Sequence, residues 1–188
     1  MGVMNKLGTK GKNANYMNAD AIQKCISYIT RTGGTKIGAE DILSYGGIGV
    51  TNNDPEQAVI DMIDVKKGHG KQSGRQMYHY SFTINEEQYG TLGCCEEAFE
   101  MAVKKMGNEL FYSEGFQVEY AIHRNSGENE GALHAHFVVN SVNYCNGKKY
   151  HSEQGEYIRF NQISNQIMDG VAAMCPVHFT DLSKIRLE

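Results

Sequence analysis

The stretch Ala132-Leu133-His134-Ala135-His136-Phe137-Val138-Val139-Asn140 carries two histidines two positions apart in an apolar, β-branched run. Side chains two positions apart lie on the same face of a β-strand, and β-branched residues favour strands. The run therefore predicts a strand that presents both imidazoles on one face. Such a pair supplies two ligands of a divalent metal site, so the rest of the chain decides whether a third ligand joins them.

Length and composition favour a single domain over residues 1–188. No apolar run is long enough to cross a membrane, and the N-terminus lacks the apolar segment of a secretory signal, which favours a cytoplasmic location. The net charge of −4 argues against a surface that binds nucleic acid everywhere, while a local basic groove stays compatible with it. The cysteines include no Cys-x-x-Cys pair and are expected to be reduced packing residues.

Hydrophobic periodicity predicts four helices and three strands along the chain. The helices are expected at 19–32, 54–64, 95–106 and 161–174, and the strands at 77–84, 117–123 and 132–140. Two glycine-rich stretches, 33–49 and 68–74, are expected to be long loops. These elements predict an α+β fold, with a central, mostly antiparallel β-sheet, helices packed on one face and a histidine-rich metal site on the other.

His123 is the expected third ligand because it alternates onto the polar face of strand 117–123. If that strand pairs with the His134/His136 strand, three neutral imidazoles share one face and leave open coordination positions, which is typical of catalytic metal sites. His79 and Ser81 lie on the corresponding face of strand 77–84, and Asn140 follows the pair. These three side chains are expected around the ligands rather than among them.

Two further segments complete the pattern. They are Cys25-Ile26-Ser27-Tyr28-Ile29-Thr30-Arg31 and Tyr120-Ala121-Ile122-His123-Arg124-Asn125-Ser126-Gly127-Glu128-Asn129. Together with His134-Ala135-His136 and Asn140, they resemble the plasmid mobilisation relaxases, the His-hydrophobe-His (HUH) endonucleases that nick one DNA strand at a transfer origin. The order also matches, since the tyrosine precedes the histidines, whereas in related replication initiators it usually follows them.

The resemblance implies that Tyr28 is the nucleophile and that His123, His134 and His136 bind a divalent metal. Mn²⁺ or Mg²⁺ is expected, with Zn²⁺ or Ni²⁺ as alternatives in crystals. The implied reaction is a transesterification that leaves a 5′-phosphotyrosine and a free 3′-hydroxyl. Tyr28 lies about 120° from the apolar stripe of its helix, and Tyr16 and Tyr45 are rival nucleophiles. Relaxases often carry an acidic residue behind one ligand histidine, where this chain offers His79 and Ser81.

The partners implied by the resemblance are single-stranded origin DNA, relaxosome accessory proteins and a coupling protein in a bacterial cytoplasm. The chain would then be the relaxase domain of a mobilisation protein, either alone or as the N-terminal part of a longer one. The basic residues expected beside the DNA are Arg31, Lys66, Lys67, Arg75 and Arg124. Two other functions stay open: a three-histidine metalloenzyme acting on a small molecule, and a nucleic-acid-binding module without catalysis.

Overall fold

A five-stranded antiparallel sheet organises the computed structural model, which describes residues 2–8, 16–32, 42–84, 96–124 and 133–174. The strands are β1 (Val3–Lys6), β2 (Ile42–Ile48), β3 (Met77–Thr83), β4 (Val118–Arg124) and β5 (Leu133–Asn140). Their order is β1-β3-β5-β4-β2, and every neighbouring pair is antiparallel. The strand of His134 and His136 is therefore the central one.

Helices pack on both faces of the sheet. Helices α3 (Glu96–Gly107) and α4 (Glu156–Met174) pack on one face in the larger hydrophobic cluster, and α3 continues into a π-helical turn, Asn108–Tyr112. Helices α1 (Ala21–Thr30) and α2 (Pro55–Gly68) pack on the opposite face in a second cluster. The predicted α+β class with an antiparallel sheet is confirmed. The expectation that helices cover one face only is corrected, since α1 and α2 lie on the histidine-bearing face.

Period-two alternation on the three central strands separates the core from the site. Tyr80, Phe137 and Tyr120 are paired across β3, β5 and β4 and are buried against α3 and α4. The next row, Ser81, His136 and Ala121, points to the opposite face. A shift of one residue in this register would send the histidines into the aromatic core, so burial of the core specifies the histidine positions as well.

The predicted helices and strands are present, with differences at their ends. Helix α2 begins after Asp54, whose side chain accepts a hydrogen bond from the Gln57 amide, and it runs on to Gly68 rather than ending at 64. Helix α4 begins at Glu156 rather than at 161. The apolar pattern did not reveal its first turn, because Tyr157 and Ile158 are exposed there and lie outside the apolar stripe. The predicted start of α3 at Cys95 lies just outside the described residues.

Two strands were not predicted from the sequence. Strand β1 has only four residues, and β2 falls in the stretch 33–49 that was expected to be a loop. The expectation for 33–49 is wrong over 42–48, and 33–41 lies outside the described residues. Gly47 of β2 looks like a turn residue, but a Cβ there would collide with Val50 and Glu119. Among the described residues, no helix combines the length and hydrophobicity of a membrane span.

Candidate active site

Three histidines converge on the sheet face beneath α1. His123 and His134 face each other across β4 and β5, and His136 lies two residues further along β5. One ring nitrogen from each residue can be chosen so that all three atoms lie within 4.8 Å of one another. The ring centroids are 5.0–5.2 Å apart in all three pairs. The expected convergence of His123 with the His134/His136 pair is present.

The environment of His136 favours a neutral imidazole. His123 and His136 are buried and His134 is half-buried. Burial is the largest cause that lowers the pKa of His136 to about 2, and the charges of His79, His123, His134 and Arg31 lower it further. A neutral ring keeps a lone pair for a metal ion, so His136 is ready to act as a ligand at neutral pH.

The C-terminal turn of α1 determines the tautomer of His123. The Nε2 atom of His123 is 2.6 Å from the backbone carbonyl oxygen of Ile29, one of the carbonyls left without a helical partner at the end of α1. A carbonyl oxygen only accepts, so Nε2 carries the proton and donates. The lone pair of the neutral ring is then on Nδ1.

His79 lies directly behind His136, on β3. Its Nε2 is 3.0 Å from Nδ1 of His136, and its Nδ1 is 3.3 Å from the hydroxyl oxygen of Tyr16. Burial, and then the charge of His123, lowers the pKa of His79 to about 4. A neutral histidine therefore occupies the place beside a ligand histidine, and Tyr16 is its outer partner. Tyr16 was singled out from the sequence only as a rival nucleophile.

Tyr28 is the tyrosine whose ring lies against the histidine cluster. Its ring centroid is 6.4 Å from that of His136, and the side chain is 44% exposed. Among the described residues, nothing hydrogen-bonds its hydroxyl, so the phenol is accessible. Tyr16 is instead bonded to His79, and Tyr45 is partly buried against the α1/α2 cluster.

Ser81 and Asn140 have different surroundings. Ser81 lies directly across from His136 in the β3–β5 ladder. Asn140 is fully buried at the far end of β5, where its amide donates to the carbonyl of Met62 and to the side chain of Gln117. Its amide thus ties α2 to the sheet, and we assign it to the scaffold rather than to the histidine cluster.

The basic residues predicted to contact DNA have different local partners. Arg31 lies over the ring of Tyr28, and Arg124 of β4 is ion-paired with Glu96. Arg75 lies over the ring of Tyr78, and Lys67 is paired with Asp64 on α2. Lys66 is only 2% exposed, and its ammonium donates to the hydroxyl of Ser141 at 2.7 Å. This burial leaves Lys66 out of reach of a DNA backbone.

The contacts of His79 and His123 were the part of the site that the sequence did not reveal. Alternation placed His79 on the correct face, but nothing in the local pattern indicates Tyr16 as its partner. The bond from His123 to Ile29 joins residues 94 positions apart and uses a backbone carbonyl, which leaves no trace in the residue types.

Comparison with known families agrees with this geometry. The family model "Relaxase: MobA/VirD2-like, nuclease domain" matches residues 28–169, which is more than half of the chain. The matched segment begins at Tyr28 and contains His79, His123, His134 and His136. No curated protein shows significant similarity to the chain.

Proposed function

The chain belongs to the MobA/VirD2-like relaxases, and from this membership we propose that it nicks one DNA strand at a transfer origin by joining Tyr28 to the DNA. A relaxase nuclease domain acts as a DNA endonuclease and strand transferase. Beyond this family activity, we propose that Tyr28 attacks the DNA, that the product is a 5′-phosphotyrosine, and that the enzyme selects an origin sequence.

The position of Tyr28 is the observation that carries this proposal. An exposed phenol lies beside three clustered, metal-competent histidines, and no hydrogen bond to another described residue occupies it. In the proposed step, the Tyr28 oxygen attacks the scissile phosphorus and the bond from phosphorus to the 3′ oxygen breaks. The phenol loses its proton, and the departing oxygen gains one to become a 3′-hydroxyl. The number of phosphodiester bonds is unchanged, so the same site can rejoin ends.

His123, His134 and His136 are the residues that would hold a divalent metal ion. Their donor atoms are close together, and three neutral nitrogens suit a catalytic site with open coordination positions. A bound divalent ion would supply Lewis acidity toward the phosphate oxygens. Mn²⁺ or Mg²⁺ is our proposal for the physiological ion.

We propose that His79 orients the ring of His136. A His136 that offers Nε2 to a metal carries its proton on Nδ1, which then donates to Nε2 of His79. His79 must in turn carry its proton on Nδ1, and it donates to the hydroxyl of Tyr16. The two bonds can run in either direction, and a metal bound at Nε2 of His136 would select this one, in which His79 and Tyr16 hold the ring in place.

Single-stranded DNA is the proposed substrate, with Arg31, Arg75 and Arg124 as candidate backbone contacts and Lys67 as a weaker one. Arginine pairs well with phosphate because its planar guanidinium offers several donors in a fixed fork. Accessory proteins of the relaxosome and a coupling protein are further partners that the family membership suggests.

The test is a covalent-adduct assay with labelled single-stranded origin DNA and Mn²⁺ or Mg²⁺. Wild-type protein is expected to form an adduct that survives denaturation, and Tyr28→Phe is expected to form none, because it lacks the attacking oxygen. Tyr45→Phe is the matched control, since Tyr45 also lies on the sheet face that α1 and α2 cover, and it should keep the adduct. An adduct that persists in Tyr28→Phe and disappears in Tyr45→Phe would move the nucleophile to Tyr45.

A further inference from the structure

Arg31 follows α1 directly and has an unusual backbone conformation. Its φ is +57° and its ψ is +20°, the left-handed region in which glycine is favoured because a Cβ is strained there. A glycine would end α1 with less strain, and two glycines follow closely, at 33 and 34. Strained conformations of this kind are concentrated at functional sites, which makes the side chain of Arg31 the feature to explain.

The side chain of Arg31 folds back over the candidate nucleophile. Its guanidinium carbon is 4.9 Å from the centroid of the Tyr28 ring, and Nη1 donates to the backbone carbonyl oxygen of Tyr28 at 3.1 Å. The Tyr28 ring in turn lies 6.4 Å, between ring centroids, from His136, so the guanidinium, the phenol and the histidine cluster are adjacent.

The guanidinium has donors that the described residues do not satisfy. Its Nε is buried and has no hydrogen-bond partner there. None of the ion pairs among the described residues involves Arg31. A buried donor without a partner destabilises a fold, so Nε does not hold the Arg31 side chain in this conformation, and the guanidinium can reorient toward an acceptor. The missing partner must be an acceptor, and an anionic one also balances the arginine charge.

We propose that Arg31 binds the scissile phosphate of the DNA strand and neutralises the charge on its non-bridging oxygens while Tyr28 attacks. This role rests on the proposed function, since it requires that Tyr28 be the nucleophile. The arginine keeps its protons throughout, because its pKa is too high for it to act as an acid or base. It acts by fixed donors aimed at oxygens whose negative charge grows as the fifth bond to phosphorus forms.

Two variants separate this role from a structural one. Arg31→Met keeps a long side chain without charge, and Arg31→Gly removes the side chain while relieving the left-handed strain. Both are expected to bind Mn²⁺ like wild type, and Arg31→Gly is expected to melt at the same or a higher temperature. The control is Lys104→Met, which removes one positive charge from α3 on the other face of the sheet and should form adduct at the wild-type rate.

The decisive measurement compares two DNA strands, one with an ordinary scissile phosphodiester and one with a methylphosphonate, in which an uncharged methyl group replaces one non-bridging oxygen. On the phosphodiester, the single-turnover rate of adduct formation should fall about 10²–10³-fold in Arg31→Met. On the methylphosphonate, the same substitution should cost less than about 10-fold, because one of the charges that Arg31 neutralises is gone. DNA affinity is measured in Tyr28→Phe protein, which is expected not to react. Adding Arg31→Met to that protein should lower its affinity for the phosphodiester strand by a smaller factor than Arg31→Met lowers the rate of adduct formation.

Equal losses on the two strands, or a loss of affinity that accounts for the whole loss of rate, would overturn the role of Arg31 in the reaction. A wild-type rate in Arg31→Gly would also overturn it. These outcomes differ from failure of the proposed function, in which wild-type protein forms no adduct on the phosphodiester or Tyr28→Phe still forms one. That failure would remove the Arg31 proposal as well, since no attack would be left for it to assist.

Discussion

His79 is the residue whose exchange is most informative about the candidate metal centre. A carboxylate in this position would place a negative charge beside the ligands, whereas a neutral imidazole leaves the positive charge of a bound ion undiminished. The bonds from His79 to His136 and to Tyr16 restrict the ring of His136 without altering the charge of the site. His79 can therefore orient His136 without adding a charge beside the candidate metal site.

Replacing His79 by alanine is expected to weaken Mn²⁺ binding about 10–100-fold, because His136 loses the partner that holds its tautomer and orientation. Isothermal titration with Mn²⁺ measures this directly. His69→Ala is the matched control, since His69 bonds to the carbonyl of Tyr144 away from the cluster and should leave the affinity unchanged. Tyr16→Phe should give a smaller loss than His79→Ala, and unchanged affinity in His79→Ala would leave His79 as a packing residue.

At the scale of elements, the edge of the sheet is closed by a ladder of side chains from α4. Asn165 accepts from the backbone N–H of Gly2 and donates to its carbonyl, and Asn161 does the same for Met4. The four-residue spacing on the helix, about 6 Å, matches two residues of a strand. The asparagines occupy the backbone groups that an edge strand would otherwise present to another chain.

Asn161→Ala is therefore expected to destabilise the protein by about 0.5–2 kcal/mol and to open β1 locally. Hydrogen exchange at the Met4 amide should become faster, because that N–H would then face water. Gln162→Ala, on the exposed side of the same helix, is the control and should alter neither measurement. Unchanged exchange at Met4 would show that β1 is held by its pairing with β3 alone.

Helix α1 is the element that makes the site, because its last turn performs three tasks. Its carbonyl at Ile29 orients His123, its Tyr28 lies against His136, and its end at Arg31 sends a guanidinium back over Tyr28. The buried stripe of Ile22, Ile26 and Ile29 packs this helix on the sheet, which holds the last turn over the histidines. Packing of one apolar face thus positions both the proposed nucleophile and a candidate metal ligand.

At the scale of the whole molecule, buried ionisable groups away from the histidine cluster also make stability depend on pH, and Glu119 and Lys66 are two of them. Glu119 of β4 is fully buried, and its carboxylate oxygens have no hydrogen-bond partner among the described residues. Burial, and then the charge of Asp54, raises its pKa to about 8. Lys66 is the opposite case, since burial and then the charge of Lys149 lower its pKa to about 7.

The folded protein keeps the proton on Glu119 between about pH 4.5 and 8, while the unfolded chain has released it. The contribution of Glu119 to the free energy of unfolding should therefore fall as pH rises through this window, by about 1.4 kcal/mol for each unit of separated pKa, or a few kcal/mol in total. Glu119→Gln should abolish this contribution. Denaturant titrations of both proteins at pH 5 and pH 8 measure it, and a pH-independent difference between them would contradict the raised pKa.

Much of the fold and the ligand set followed from local pattern. Periodicity identified α1 to α4 and the three central strands. Alternation placed His134 and His136 on one face of their strand and predicted that His123, with His79 beside it, would share that face if the strands paired. The short β1 and the glycine-bearing β2 were not predicted, because four residues, or a strand interrupted by glycine, show too little alternation to be distinguished from loops. The layer of α1 and α2 over the histidines escaped because a sequence does not say which face of a sheet a helix covers.

What the sequence determined by itself is which residue types recur at which spacing, and hence the elements and the three candidate ligands. Only the tertiary structure decided that Tyr28 rather than Tyr16 lies open beside the cluster, that Tyr16 bonds to His79, and that Lys66 and Glu119 are buried. The reason is physical. Spacing along the chain acts through backbone geometry within one element, whereas burial and hydrogen-bond partners arise between elements that are distant in sequence and meet only when the core packs.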